Sequence, residues 1–309
     1  MRAPWSYALV PAVLVLLASC SSSVAAPTPA PIENSTRPLV IAHRGARSLA
    51  PENTLAAARK ALQAGADMWE LDVAVTSDGE LVVIHDDTLE RTCNAAELFP
   101  ERRPWNVWEF TLAEIESLDC GSWFGDRDPF GQIKAGNVSA EDVASYVGER
   151  APTLRQALEF TRDNSWRVNV ELKEQPTGDL GQVLVAKSVA LIQELGMDKG
   201  DRVAASSFNH EYLKEIRALN PRIPIQALTS QKIPDLPTYL QQLGTNACNP
   251  KAGIWKPQEL GALGQSGIEF NVWTVNDESE IKQLVEANVH GIITDYPQTL
   301  SLILSKKPG

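Results

Sequence analysis

The chain has 309 residues, 43% of them hydrophobic and 22% charged, enough to bury the core of one large domain or two small ones. Its formal net charge of −11 argues against nucleic acid, which wants a basic surface, and against electrostatic adhesion to anionic lipid. A local basic pocket survives that argument, because net charge governs solubility and steering, not the chemistry of one site.

Behind Arg2, residues 8–17 form an apolar run too short to cross a bilayer as a helix but of the length of a signal peptide's apolar region. The run closes on Leu17-Ala18-Ser19-Cys20, which resembles the lipobox of bacterial lipoproteins. Residues 1–19 are therefore expected to be a lipoprotein signal peptide and Cys20 the lipidated residue. The chain would then be exported and held on the periplasmic or cell-surface side, meeting the membrane only through its lipid anchor. Ordinary secretion with a cut near Ala25-Ala26 is the alternative, disfavoured by Pro27 just after it. Residues 20–38, rich in Ser, Pro, Ala and Thr, have little to bury and read as a flexible tether.

From residue 39 onward, strand-like and helix-like segments alternate. Residues 39–43 read as a strand running into His43-Arg44-Gly45. Asn53 is expected to cap a helix whose apolar face is Leu55, Ala58 and Leu62 and which Gly65 closes. Residues 68–75 form the next strand and contain Trp69-Glu70-Leu71-Asp72-Val73. Side chains two apart share a face, so Glu70 and Asp72 point one way and the apolar trio the other. Paired acids among core residues are costly unless neutralised, and a divalent metal is the simplest neutraliser. The turn Ser77-Asp78-Gly79-Glu80 returns residues 81–85 as a hairpin arm, bringing His85 roughly opposite Asp72.

Residues 87–150 break the alternation, carry Trp105, Trp108 and Trp123, and are too long for a plain loop; they read as an insertion packed on its own cluster. An oxidising compartment permits a disulfide, and Cys93 and Cys120 share this region, leaving Cys248 buried and free. Three reduced core thiols are the other reading. No cysteine or histidine spacing suggests zinc.

Helical segments follow at 152–162, 180–195, 210–219, 257–265 and 277–287, with strands at 167–172, 202–206, 223–228, 245–249, 268–273 and 290–294. Discounting the hairpin arm, eight βα units predict an α/β fold, a closed parallel barrel with its chemistry at the C-terminal strand ends. His43, Asp72, Lys173, Phe208, Trp273 and Asp295 all fall at or just past such ends.

The residue types there suit phosphate chemistry. Histidine titrates near neutrality and suits proton transfer, and Arg44 offers a bidentate fork to phosphate. In Val170-Glu171-Leu172-Lys173, Glu171 can complete with Glu70 and Asp72 a three-carboxylate site for one hard divalent cation, Ca²⁺ or Mg²⁺. Lys173 can contact a phosphate oxygen; a Glu171–Lys173 ion pair inside the barrel is the plainer alternative. Trp273 can wall a substrate pocket or serve as core. His210 reads as a surface helix residue, His290 as a strand start, and the carboxylates of 277–286 as a solvated helix face.

Taken in order, Ile41-Ala42-His43-Arg44-Gly45, Pro51-Glu52-Asn53-Thr54, Glu70-Leu71-Asp72-Val73, Thr76-Ser77-Asp78-Gly79, His85-Asp86, Val170-Glu171-Leu172-Lys173, Val272-Trp273-Thr274-Val275-Asn276 and Thr294-Asp295-Tyr296-Pro297 resemble the glycerophosphodiester phosphodiesterase family. The resemblance implies a (β/α)8 TIM barrel of the PLC-like phosphodiesterase type over residues 39–309, with a small insertion after strand two. It implies metal binding by Glu70, Asp72 and Glu171, general acid–base work by His43 and His85, and phosphate contacts from Arg44 and Lys173. The implied reaction is metal-dependent hydrolysis of a small-molecule glycerophosphodiester to glycerol 3-phosphate and an alcohol. Within the insertion, residues 95–110 and 135–151 are longer than the family pattern, which leaves the headgroup open. A lysophospholipase D acting through an apolar mouth is a second reading. A non-catalytic phosphodiester-binding lipoprotein is a third, against which the retained histidines and acids count.

Overall fold

Buried apolar runs pair edge to edge until the sheet meets itself. The computed structural model describes Met1 and residues 37–306. Its strands are β1 (Leu39–Ala42), β2 (Met68–Val75), β3 (Leu81–Val83), β4 (Val168–Leu172), β5 (Val203–Ser207), β6 (Ile225–Thr229), β7 (Ala247–Pro250), β8 (Glu269–Val272) and β9 (Gly291–Thr294). All neighbours are parallel except β2 and β3, and β1 pairs with both β2 and β9. Eight parallel strands thus close a TIM barrel, and β3 is the hairpin arm outside it.

Strand β2 is buried along its whole length, and its two faces do different things. Trp69, Leu71 and Val73 join the apolar layer beneath the outer helices, together with Leu154, Leu158 and Trp166. Trp69 and Trp166 stack with centroids 6.1 Å apart, and each indole N–H is satisfied, by Thr161 Oγ1 and the Ala66 carbonyl. Glu70 and Asp72 face the barrel interior.

Two helices beyond the expected ones flank the barrel, Leu236–Leu243 and Pro297–Ser305. Asn53 is not the helix cap: Thr54 caps Leu55–Gln63, its hydroxyl accepting from the Ala57 N–H, and Asn53 turns into the site. His210 is half-buried, not a surface residue: its ring bonds Tyr239 Oη at 2.5 Å and the Leu228 carbonyl at 2.9 Å.

Between β3 and the ten-residue helix Leu154–Asp163 the chain forms several helices of seven residues or fewer and packs on two clusters. One joins Leu89, Phe110, Ile115 and Leu118 to Val82 and Ile84 of the hairpin arm, and the other sets Phe124, Val138 and Tyr146 against Ala57. A disulfide joins Cys93 to Cys120, and Cys248 is buried and free. Cys20, the leader segment after Met1 and the tether up to residue 36 lie outside the described residues.

Candidate active site

The C-terminal ends of the strands enclose a pocket of about 60 Å³ lined by His43, Arg44, Glu70, His85, Glu171, Lys173 and Trp273. Of the residues singled out from the sequence as catalytic, metal or substrate groups, only Asp72 is not on its wall. It lies just beneath, with a side chain 1% exposed.

Strand register explains the carboxylate cluster. Asp72 pairs with Glu171 across β2 and β4, and Glu70 lies two residues behind Asp72 on the same face. One oxygen from each of the three lies within 4.8 Å of the others. Burial first, then the charges of Asp72 and Glu171, pushes Glu70 well above the usual carboxylate range. Glu171 is raised by burial and by Asp72. Burial would raise Asp72 as well, but Arg44, His85 and Lys173 outweigh it and leave this carboxyl below its ordinary value.

The Arg44 N–H donates to Glu70 Oε2 at 2.8 Å, while Glu70 Oε1 is buried with no hydrogen-bond partner. A buried orphan acceptor is costly, and three converging carboxylates are the hard oxygen set a divalent cation wants. The donor set therefore fits the implied metal. Lys173 Nζ donates to Glu171 at 3.1 Å and lies 3.8 Å from Asp72, so the expected ion pair exists beside the cluster and leaves that orphan oxygen untouched.

The turn after β1 has to be tight. Arg44 and Gly45 both have positive φ, and a Cβ at Gly45 would lie 2.6 Å from that of Ala57. Only glycine fits, and its turn aims the Arg44 amide at Glu70.

Both pocket histidines are held from behind. His43 Nδ1 lies 2.7 Å from Asp295 Oδ1, and His85 Nδ1 lies 2.7 Å from Asp86 Oδ1. Burial opposes the charge on each aspartate, yet contacts with His43, Arg47 and Asn276 lower Asp295, and those with His85 and Arg91 lower Asp86. An ionised carboxylate only accepts, so each Nδ1 carries the proton and each Nε2 is left for chemistry. Neither Nε2 has a hydrogen bond among the described residues. Burial, aided by Arg44, pulls His43 below the usual histidine value, with Asp295 pulling the other way.

The supports behind these groups form one chain of charges. Glu52, its side chain 2% exposed, binds Arg44 at 2.8 Å, Arg47 at 2.9 Å and Arg91 at 2.6 Å. Arg91 continues to Asp86 at 2.5 Å, and Arg47 lies 3.7 Å from Asp295. Sequence reasoning missed Glu52, Asp86, Arg91 and Arg47 as supports. It noted Asp295 only as a strand-end residue. Asn53 also belongs here, donating to Asp72 Oδ2 at 2.8 Å. The available signal was that Glu52, Asn53, Asp86 and Asp295 stand inside the quoted motifs; Arg91 and Arg47 left none.

A closed βα barrel with histidines, basic side chains and clustered acids at its C-terminal rim is the architecture of an enzyme of phosphate-ester chemistry. The chain belongs to the glycerophosphoryl diester phosphodiesterase family, whose model matches residues 43–299. A glycerophosphodiester phosphodiesterase of Caldanaerobacter subterraneus is 33% identical over 87% of this chain and 98% of its own. One from Bacillus subtilis is 29% identical over 92% of each. Among solved structures, a phosphodiesterase of Oleispira antarctica in complex with its product sn-glycerol-3-phosphate superposes with a TM-score of 0.73 at 28% identity, over 87% of this chain and 98% of that one.

Proposed function

We propose that the chain hydrolyses glycerophosphodiesters to glycerol 3-phosphate and an alcohol, by acid–base chemistry between His43 and His85. The observation that carries this reading is that each ring has its Nδ1 fixed on an aspartate and its Nε2 unpaired, with both rings on one pocket wall beside the acid cluster. Arg44 and Lys173 would hold the phosphate oxygens, as a bidentate fork and a point charge. A glycerol hydroxyl attacks phosphorus and gives its proton to one Nε2, while the other histidine protonates the departing alcohol oxygen as the phosphorus–oxygen bond breaks. Water then opens the resulting cyclic phosphate with the two roles exchanged. Glu70, Asp72 and Glu171 would hold a divalent cation, Ca²⁺ or Mg²⁺, which when bound supplies charge neutralisation at the phosphate.

Asp87, Glu171, Lys173, Glu174 and Gln175 line the adjoining mouth together with Trp108, Leu172, Pro176 and Phe208, and the charged groups on that wall oppose burial of an acyl chain. The reading is tested by glycerol 3-phosphate release from a panel of glycerophosphodiesters with Ca²⁺ or Mg²⁺ present. Turnover that survives in His43→Ala and His85→Ala would sink the mechanism.

We also infer an exported, lipid-anchored protein. Leu17-Ala18-Ser19-Cys20 and the Ser- and Pro-rich tether support this, as does a disulfide suited to an oxidising compartment. No described helix is long and apolar enough to cross a membrane. Globomycin-sensitive processing and loss of membrane association in Cys20→Ala test it.

A further inference from the structure

The insertion meets the His85 end of the site through Arg91, which holds Asp86. It also meets the His43 end, through Phe130. The Asp128 carboxylate accepts the N–H groups of Ile133 and Lys134 at 3.0 and 2.9 Å, which closes the turn that carries Phe130. The side chain packs on the insertion cluster of Phe124, Val138 and Tyr146. Its ring then crosses to the barrel. It stands at 90° to the Tyr296 ring with centroids 5.9 Å apart, and the Arg47 guanidinium lies over it, 5.2 Å from its centroid.

Arg47 stands between two acids. It binds Glu52 Oε2 at 2.9 Å and lies 3.7 Å from Asp295 Oδ1, the oxygen that His43 Nδ1 meets at 2.7 Å. Its Nε is buried with no hydrogen-bond partner, a cost that works against this placement. Glu52 alone would accept the guanidinium from several directions, because the arginine stem is long and flexible. The Phe130 face selects one of them, since a cation above a ring is drawn to its quadrupole. Tyr296, the residue after Asp295, steadies the ring from the barrel side.

The two histidines thus have matched supports. Asp86 faces Arg91, Asp295 faces Arg47, and both arginines end on Glu52. One arginine belongs to the insertion and the other is covered by it. Building on the hydrolytic reading above, we infer that Phe130 is a positioning residue, holding Arg47 beside Asp295 so that the insertion orients His43 as well as His85.

The test measures glycerophosphocholine turnover by the full chain with Ca²⁺ or Mg²⁺, and the His43 midpoint by NMR titration. Phe130→Leu keeps apolar bulk and lacks the aromatic face; Phe130→Tyr keeps the face. Neither Phe130 nor Arg47 lines the pocket, so KM should hold. In Phe130→Leu kcat is expected to fall about fivefold, the scale of one cation–π contact, and in Phe130→Tyr to stay near that of the unaltered chain. The charged groups bearing on His43 are Asp295, Arg44 and Arg47. Loosening Arg47 leaves the pull of Asp295 less opposed, so the midpoint should rise in Phe130→Leu and in Arg47→Met. Arg47→Met reads the same contact without touching the insertion, which covers a Phe130→Leu chain that does not fold. Added to Arg47→Met, Phe130→Leu should lower kcat no further. Unaltered kcat or an unmoved midpoint in Phe130→Leu overturns the inference and leaves the hydrolytic reading standing. So does a rise in KM that matches the fall in kcat, or a loss undiminished in the Arg47→Met background. No turnover by the unaltered chain overturns the hydrolytic reading, and the midpoint in Phe130→Leu then decides by itself whether the ring acts on His43.

Discussion

Arg91 Nη1 and Nη2 donate to the two carboxylate oxygens of Glu52 at 3.0 and 2.6 Å, across 39 residues of sequence. Through this pair the insertion grips the barrel: Arg91 also holds Asp86, Asp86 holds His85, and Glu52 holds Arg44 on the pocket wall. Burial penalises the Glu52 charge, but Arg91, Arg44 and Arg47 hold the carboxyl far below the carboxylate range. Its stabilisation is therefore present above the unfolded value and is lost as pH falls through the folded one. Glu52→Gln keeps the shape and leaves three guanidinium groups undercompensated. It is expected to cost about 3 kcal/mol in urea unfolding, the scale of a broken buried ion pair, and to lower kcat as His85 loses its orientation. Wild-type stability with wild-type kcat would remove Glu52 from this role.

His43 gives a pH prediction with a definite sign. Burial lowers its value below 6.5 in the folded chain, whereas the unfolded chain protonates at its ordinary value. The unfolded state thus binds more protons just below pH 6.5, so His43 contributes a loss of stability as pH falls from there toward the folded value. A histidine NMR titration, with the resonance assigned by its absence in His43→Ala, should place this midpoint below 6.5. Asp295→Asn removes the one strong influence raising it, so the midpoint should drop further. kcat should fall by about 10²-fold as the imidazolium loses its partner. A midpoint that stays put or rises in Asp295→Asn would contradict the pairing.

The sequence carried the barrel because strands of four to eight buried residues, separated by amphipathic helices, leave a strong periodic trace. It carried Glu70, Asp72 and Glu171 because acids inside apolar strands are costly to bury unless a cation meets them. The supports were less legible for a geometric reason. His43 and Asp295 are 252 residues apart and meet only because β1 pairs with β9 when the barrel closes. Propensity points to Asn53 because Asn is the better capping residue, but the turn at Arg44, whose carbonyl takes the Asn53 N–H, leaves the cap to Thr54. The helix at Leu236–Leu243 was hidden by prolines at 234 and 237, and those of the insertion are too short to show a period.

The carboxylate cluster predicts opposite responses with and without metal. Glu70 is the acid most penalised by burial and by its neighbours, so Glu70→Gln relieves repulsion in the metal-free chain. Its melting temperature after EDTA treatment should equal or exceed that of the unaltered chain. Added Ca²⁺ or Mg²⁺ should raise the melting temperature of the unaltered chain by mass action and leave Glu70→Gln nearly unmoved. Calorimetric titration of either ion into both proteins measures the same difference directly. EDTA should abolish turnover of the unaltered chain, and turnover that persists after stripping would remove the metal from the reaction.

The cysteines predict a thiol count. Burial pushes the Cys248 thiol up to about 12, so it should resist Ellman's reagent in the native state. For a chain beginning at residue 37, denaturation without reductant should expose one thiol, and denaturation with prior reduction three, because Cys93 and Cys120 are bonded to each other. The bond closes a loop across the insertion, with Arg91 two residues before Cys93. Cys93→Ser/Cys120→Ser should therefore lower stability by about 3.5 kcal/mol through loop entropy alone. It should also raise KM or lower kcat near the melting range, where the insertion loosens its hold on Asp86 and His85 first. Three thiols without reduction, or a double variant as stable as the unaltered chain, would contradict the bond.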